Sequence, residues 1–345
     1  MSQPMNDDVV LRVDDLSIVY QTKRGNVQAT TNISFDLKRG QAMALIGESG
    51  SGKTTVSLSL IRKLPKNALI TQGQVLYQRD GNVRDVLKLS KRELREFRWK
   101  DCAMVFQGSQ NAFNPVLKIR TQFEDTARAH GWTDKNAVRE RALELLRLVR
   151  LDPERVYEAY PHELSGGMKQ RTLLALGVLL NPQVVILDEP TTALDILTQR
   201  AIIDVLNEMQ QRLNFSIIFI SHDLSLAAEM ADVVATVYAG EIVEIGPVND
   251  MFYDPQHPYT HGLLTSVPKL DHEQDFVSSI AGAPPNLISP PSGCKFHPRC
   301  PYATDKCSED DPTLTGEKPD HLAACWNKDA LLEAREEIAR KELAQ

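Results

Sequence analysis

The chain has 345 residues, 42% of them apolar and 25% charged, with a formal net charge of −7. This is ordinary globular usage and excludes a disordered or collagen-like chain. The length favours two domains or one domain with a long appendage, and the acidic balance argues against nucleic acid as a partner.

In chain order, alternating residues predict a strand over 9–19 and a second over 31–37. A turn at Lys38-Arg39-Gly40 leads to a buried strand over 41–46, a glycine-rich loop, and a helix from 53 to about 64 stopped by Pro65. A basic helical segment over 90–98 and a strand over 102–107 precede a helical pattern over 119–151. Then come a strand at 184–187, a helix at 196–213, a strand at 216–220, a helix at 224–230 and a strand at 233–239. Such alternation predicts an α/β fold with a mainly parallel sheet. Residues 247–319 are rich in Pro, Gly and His with little period, and 329–343 return to a helical pattern with Leu331, Ala334 and Ile338 on one face. No run approaches the roughly 18 apolar residues of a membrane span. The first residues carry no basic segment ahead of an apolar one, so a cytoplasmic chain without a signal peptide is expected.

Gly47-Glu48-Ser49-Gly50-Ser51-Gly52-Lys53-Thr54 matches the phosphate-loop pattern between a strand and a helix, with Thr55 following. Glycines let backbone N–H groups converge on phosphate oxygens, and the helix start adds its positive end. Lys53 would neutralise β/γ-phosphate charge, and the Thr54 hydroxyl would ligate the Mg²⁺ of a bound nucleotide. The apolar strand Val184-Val185-Ile186-Leu187 ends in Asp188 and Glu189. Asp188 would hold the Mg²⁺ through water, and Glu189 would polarise a water for attack.

Between these lies Leu164-Ser165-Gly166-Gly167-Met168-Lys169-Gln170-Arg171, which resembles the signature motif of ATP-binding cassette (ABC) ATPases. Other pieces follow the family's order over roughly residues 9–245. Tyr20 is similar to the adenine-stacking aromatic, Gln107 to the Q-loop glutamine and a further Mg²⁺ ligand, Asp195 to the D-loop aspartate, and His222 to the switch histidine. The resemblance implies a P-loop cassette over 1–245 with a helical subdomain at about 109–166. It also implies two cassettes paired head to tail, so that Ser165, Gly166, Gly167 and Gln170 serve the partner's ATP.

Asp254-Pro255-Gln256-His257-Pro258-Tyr259 and the residues after it are similar to the segment that follows the cassette in oligopeptide, dipeptide and nickel importers. Residues 246–345 are therefore expected to be an extension of that type. The resemblance implies a peripheral ATPase at the cytoplasmic face of the membrane. Its partners would be two transmembrane permease subunits, a second ABC ATPase in a heterodimer and, through the complex, a solute-binding protein. The Gly108-Ser109-Gln110-Asn111 stretch after Gln107 departs from that branch's acidic residue and proline. Peptides are the expected cargo, with oligosaccharides or nickel as alternatives. A soluble ABC protein of translation or DNA repair is the alternative of another class. Such proteins mostly carry two cassettes or a long coiled-coil insert, and this chain has neither.

Cys294, Cys300, Cys307 and Cys325 cluster in the last fifth of the chain, whereas Cys102 reads as a buried apolar residue. Disulfides are not expected in a cytoplasmic chain. Four thiolates in one loop-rich segment suit a metal site, although the C-x₂₋₄-C pairs that zinc favours are absent. The spacing resembles the [4Fe–4S] motif of dipeptide and oligopeptide importer ATPases, which implies a small metal-cluster extension. Zinc and unligated thiols are the alternatives.

Overall fold

A computed structural model describes residues 5–106, 112–191, 195–266 and 280–343. Strands β1 (Val9–Thr22) and β2 (Gly25–Lys38) form a long antiparallel hairpin, and β3 (Ala42–Ile46) leads into the phosphate loop and helix α1 (Lys53–Leu60). β4 (Ala68–Arg79) and β5 (Asn82–Asp85) complete a four-stranded antiparallel sheet in the order β2-β1-β4-β5. Helix α2 (Lys91–Lys100) starts with a capping box, in which Ser90 and Glu93 satisfy each other's backbone N–H groups.

After β6 (Cys102–Val105) comes a helical layer of α3 (Ile119–Ala129), α4 (Lys135–Leu148), α5 (Pro153–Glu158) and α6 (Gly166–Gly177). The parallel alternation then resumes with β7 (Val184–Asp188), α7 (Ile196–Leu213), β8 (Ser216–Ile220), α8 (Leu224–Met230) and β9 (Val233–Tyr238). β10 (Glu241–Pro247), α9 (Val248–Tyr253), α10 (Pro258–Thr265), α11 (Asp305–Glu309), β11 (Thr315–Lys318), β12 (His321–Ala323) and α12 (Lys328–Leu343) follow.

The second sheet runs β11-β12-β10-β9-β3-β8-β7-β6, parallel from β9 to β6 and antiparallel from β9 outward through β10 and β12 to β11. Every residue of β3, β7 and β8 is buried, as expected for parallel strands covered on both faces. Alternation along these strands divides the core in two. Ala42, Ala44, Leu187 and Phe219 face one apolar cluster that includes the helical layer. Met43, Leu45, Ile186 and Ile218 face the other, which holds Leu11, Ile18 and Val75 of the antiparallel sheet.

The strands expected in the parallel sheet are all present, and several other expectations need correction. The helix expected over 53–64 ends at Leu60, with Ile61 as its cap. The helical run expected over 119–151 is two helices, because Gly131 takes a left-handed φ of 85° and Asp134 caps α4 through its side chain. Residues 247–319 contain helices α9, α10 and α11 and strand β11. β12 pairs with β10 through Glu244↔Ala323 and Ile245↔Leu322, so the main sheet continues across residue 245. Glu244 anchors this seam. Its wholly buried carboxylate accepts from Gln256 N–H at 2.7 Å, His257 N–H at 3.0 Å and His321 Nε2 at 2.8 Å. No described helix is long and apolar enough to cross a membrane.

Candidate nucleotide site

The phosphate loop leaves the tip of β3 in the middle of the sheet. A Cβ on Gly47 (φ 141°) would lie 2.2 Å from the Val237 carbonyl, and one on Gly52 (φ 106°) would lie 2.4 Å from the Ala29 carbonyl. Only glycine fits at these two positions, whereas Gly50 faces open space. The Lys53 ammonium folds back over the loop, donating to Gly47 O and Glu48 O at 2.8 Å each and to Ser51 Oγ at 3.1 Å. Burial lowers its pKa to about 8, against the pull of the Glu189, Asp188 and Glu48 carboxylates. An anionic phosphate in the loop would remove that penalty, so the cradle fits a nucleotide. Ser51 is fixed by Gly240, whose N–H donates to its carbonyl at 2.9 Å.

Thr54 Oγ1 lies 3.4 Å from Asp188 Oδ1, bringing together the two expected Mg²⁺ ligands at the tips of α1 and β7. Burial, reinforced by the neighbouring Glu189, raises the pKa of Asp188, which a bound cation would reverse. This hydroxyl–carboxylate pair is a hard-oxygen set suited to Mg²⁺. Glu189 takes a left-handed φ of 50°, and its N–H donates to Ile220 O at 3.1 Å, fixing it beside the end of β8. There His222 Nδ1 is 3.3 Å from Glu189 Oε1, with the ring largely exposed. Tyr20, near the end of β1, holds its hydroxyl 3.1 Å from Thr55 Oγ1, at the edge of the same site. Gln107 lies outside the described residues.

The signature stands apart. Helix α6 packs beside β6 at the sheet edge, three strands from β3. Ser165 caps it by accepting from Met168 N–H at 3.3 Å, and Gly166 and Gly167 open its first turn. A Cβ on Gly167 would come within 2.8 Å of Thr198 Cγ2, so glycine allows α6 and α7 to approach there. Gln170 is buried one turn further on. Asp195 caps α7 through Thr198, whose N–H and hydroxyl donate at 2.9 and 2.7 Å and lower its pKa.

The structure adds two residues that the sequence reading left without a role at the site. Arg299 and Tyr259, both beyond residue 247, contact Glu48 of the phosphate loop. Their only advance signal was membership of the segment that follows the cassette.

Cys294, Cys300, Cys307 and Cys325 are all free thiols, and Cys102 is buried in the apolar cluster that also holds Tyr77 of β4 and Phe97 of α2. The four clustered thiols act electrostatically on one another, and burial pushes Cys294 up to about 12 and Cys300 up to about 11. Backbone N–H groups two residues on, at Phe296, Tyr302 and Asn327, donate to Cys294, Cys300 and Cys325, and Asn327 Nδ2 lies 3.4 Å from Cys307 Sγ. Every sulfur thus has a donor that would stabilise a thiolate. The expected metal cluster nevertheless lacks direct support. Among the described residues, no group of three or more His, Cys, Asp or Glu side chains could hold a metal ion.

The ABC transporter family profile matches residues 30–192, and that of the oligopeptide/dipeptide transporter C-terminal region matches residues 243–307. The dipeptide transport ATP-binding protein DppD of Caldanaerobacter subterraneus is 45% identical, over 88% of this chain and 92% of its own. DppD of Bacillus subtilis is 41% identical over 93% and 95%, and the oligopeptide transport protein OppD of Escherichia coli is 38% identical over 92% and 93%. Among solved structures, a dimeric post-hydrolysis ATP-binding cassette bound to ADP and Pi aligns with a TM-score of 0.59 and 25% identity. That alignment covers 69% of this chain and 98% of the cassette. The strand-loop-helix cradle, the carboxylate pair at the end of β7 and the segment that follows the cassette thus have a common explanation: the chain belongs to the ATP-hydrolysing ATP-binding subunits of the oligopeptide/dipeptide ABC transporter family.

Proposed function

We propose that this chain powers the import of di- or oligopeptides through partner transmembrane subunits. The observation that carries the reading is the convergence of Lys53, Thr54, Asp188, Glu189 and His222 at the tips of β3, β7 and β8, in a chain that resembles peptide-transport ATPases along almost its whole length. The loop N–H groups and Lys53 bind the ATP phosphates, and Thr54 and Asp188 hold Mg²⁺. The ion supplies neutralisation of charge on the phosphate oxygens. Glu189 orients and polarises the attacking water, His222 stands beside it at the γ-phosphate end, and Tyr20 borders the base. Gln107 contributes a further ligand near the metal. Ser165, Gly166, Gly167 and Gln170 complete the site of a second cassette, and Asp195 lies at that interface. Residues 1–245 act as the motor, with 109–166 as its helical subdomain and 246–345 as its extension.

The partners on this reading are two permease subunits, a second ABC ATPase and an external solute-binding protein, with the chain at the cytoplasmic face of the membrane. On this reading the four cysteines would hold a [4Fe–4S] cluster, and the donors to each sulfur support it. Reconstitution of the complex in vesicles tests the import reading. ATP-dependent uptake of a labelled dipeptide is expected, and ATP hydrolysis driven only by nickel or an oligosaccharide would overturn the cargo assignment. Anaerobic purification is expected to yield a brown protein with four irons per chain on the [4Fe–4S] stoichiometry. Stoichiometric zinc without iron would refute the cluster.

A further inference from the structure

Glu48, the second residue of the phosphate loop, has each of its polar groups engaged. Its carbonyl accepts from Lys53 Nζ at 2.8 Å, and its N–H donates to Tyr259 Oη at 2.7 Å. Its carboxylate meets Arg299 in a two-pronged pair, Nη1 to Oε2 at 2.7 Å and Nη2 to Oε1 at 3.0 Å. The Arg299 side chain is only 5% exposed, and its other donors are directed to Ala281 O at 2.8 Å and Tyr238 Oη at 3.3 Å. Tyr259 and Arg299 belong to the extension, and Arg299 immediately precedes Cys300.

The contact is backed by close packing. Tyr238 and Tyr259 rings are 4.5 Å apart, and Phe296 packs on them at 5.2 and 5.4 Å. Cys294 and Cys300 border the same cluster. A guanidinium fork fixes both position and orientation of a carboxylate, so Arg299 restrains the loop as a monodentate donor could not. It also cancels a charge. The Glu48 carboxylate acts electrostatically on Lys53, so it lies within range of any phosphate that Lys53 binds.

We propose that Arg299 and Tyr259 are positioning residues of the nucleotide site. Gripping Glu48 from two sides, they hold the phosphate loop in its binding shape and neutralise an anion that would otherwise repel ATP. The extension is then a working part of that site. The proposal rests on the nucleotide-site reading above.

The test is equilibrium binding of Mg-ATP to the full-length chain, with nucleotide-free melting measured alongside. Arg299→Gln is expected to weaken ATP binding about tenfold, within the usual range of site-to-site coupling. Tyr259→Phe, which removes the acceptor for the Glu48 N–H, is expected to weaken it about threefold. Glu48→Gln combined with Arg299→Gln is expected to recover most of the loss, since the repelling charge has gone. Folded Arg299→Gln with wild-type affinity, or a double variant whose losses add, overturns the proposal. Should Arg299→Gln fail to fold, Arg299→Lys takes its place, with a loss of about threefold expected and wild-type affinity overturning the proposal. A wild-type chain that binds no ATP removes the nucleotide-site reading itself, which separates the two failures.

Discussion

His222 Nδ1 lies 3.3 Å from Glu189 Oε1, joining the residues that follow β8 and β7 above the phosphate loop. Neither residue sits on a regular element, and Glu189 adopts a left-handed backbone to reach this position. Adjacent parallel strands bring the two side chains together from 33 residues apart.

Glu189→Gln keeps the size and hydrogen-bonding capacity of the side chain but removes its basicity. ATP binding should stay within about twofold of wild type, while turnover falls by about 10²- to 10⁴-fold. Single-turnover hydrolysis measured beside nucleotide affinity checks this, and hydrolysis at the wild-type rate would remove Glu189 from its role.

Gly166→Glu separates binding from hydrolysis in another way. A carboxylate in the first turn of α6 suits the positive end of the helix, so the fold should tolerate it. The same charge would face the γ-phosphate of a second cassette. The isolated chain should bind ATP normally, and the assembled complex should lose about 10²-fold in ATPase rate. Full activity in the complex would argue against the head-to-tail arrangement.

Gly52→Ala should be costly. The added Cβ would lie 2.4 Å from the Ala29 carbonyl at a φ of 106°. Strain and clash together should cost at least about 2 kcal/mol, with loss of ATP binding. Urea denaturation reads the first effect and nucleotide titration the second.

His257 makes stability depend on acidity. Its Nδ1 accepts from Tyr259 N–H at 3.0 Å, capping α10, while its buried Nε2 lacks a partner among the described residues. Burial, aided by Lys328, lowers its pKa from 6.5 to about 3. Below pH 6.5 the unfolded chain takes up a proton that the folded chain refuses, so stability falls with pH. The slope should approach about 1.4 kcal/mol per unit, continuing towards pH 3. His257→Asn retains a capping side chain and should flatten this part of the profile in melts between pH 7.5 and 5. An unchanged slope would place the acid sensitivity elsewhere.

The phosphate loop and the Asp188-Glu189 pair were legible because each is contiguous in sequence and flanked by an unbroken apolar run. The buried strands β3, β7 and β8 were legible for the same reason. β4 was not, since its Thr71-Gln72-Gly73-Gln74 stretch is polar and its place is fixed by pairing with β1. The break between α3 and α4 did carry a signal, a Gly followed by an Asp cap, but the apolar period across it outweighed that signal. Helices α9 to α11 are five to eight residues long, too short to establish a period. The Arg299–Glu48 pair spans 251 positions, and no local pattern announces a partner so distant.

The three-residue strand β12 bears on how the molecule comes apart. By pairing along the edge of β10, it stitches the residues that follow 245 into the main sheet. A cassette cut there would lose His321, Gln256 and His257 from around Glu244, stranding a carboxylate designed for a dry interior. Motor and extension should therefore share a single cooperative melt, and nucleotide that steadies one will steady the other. In this protein the tail is a keystone.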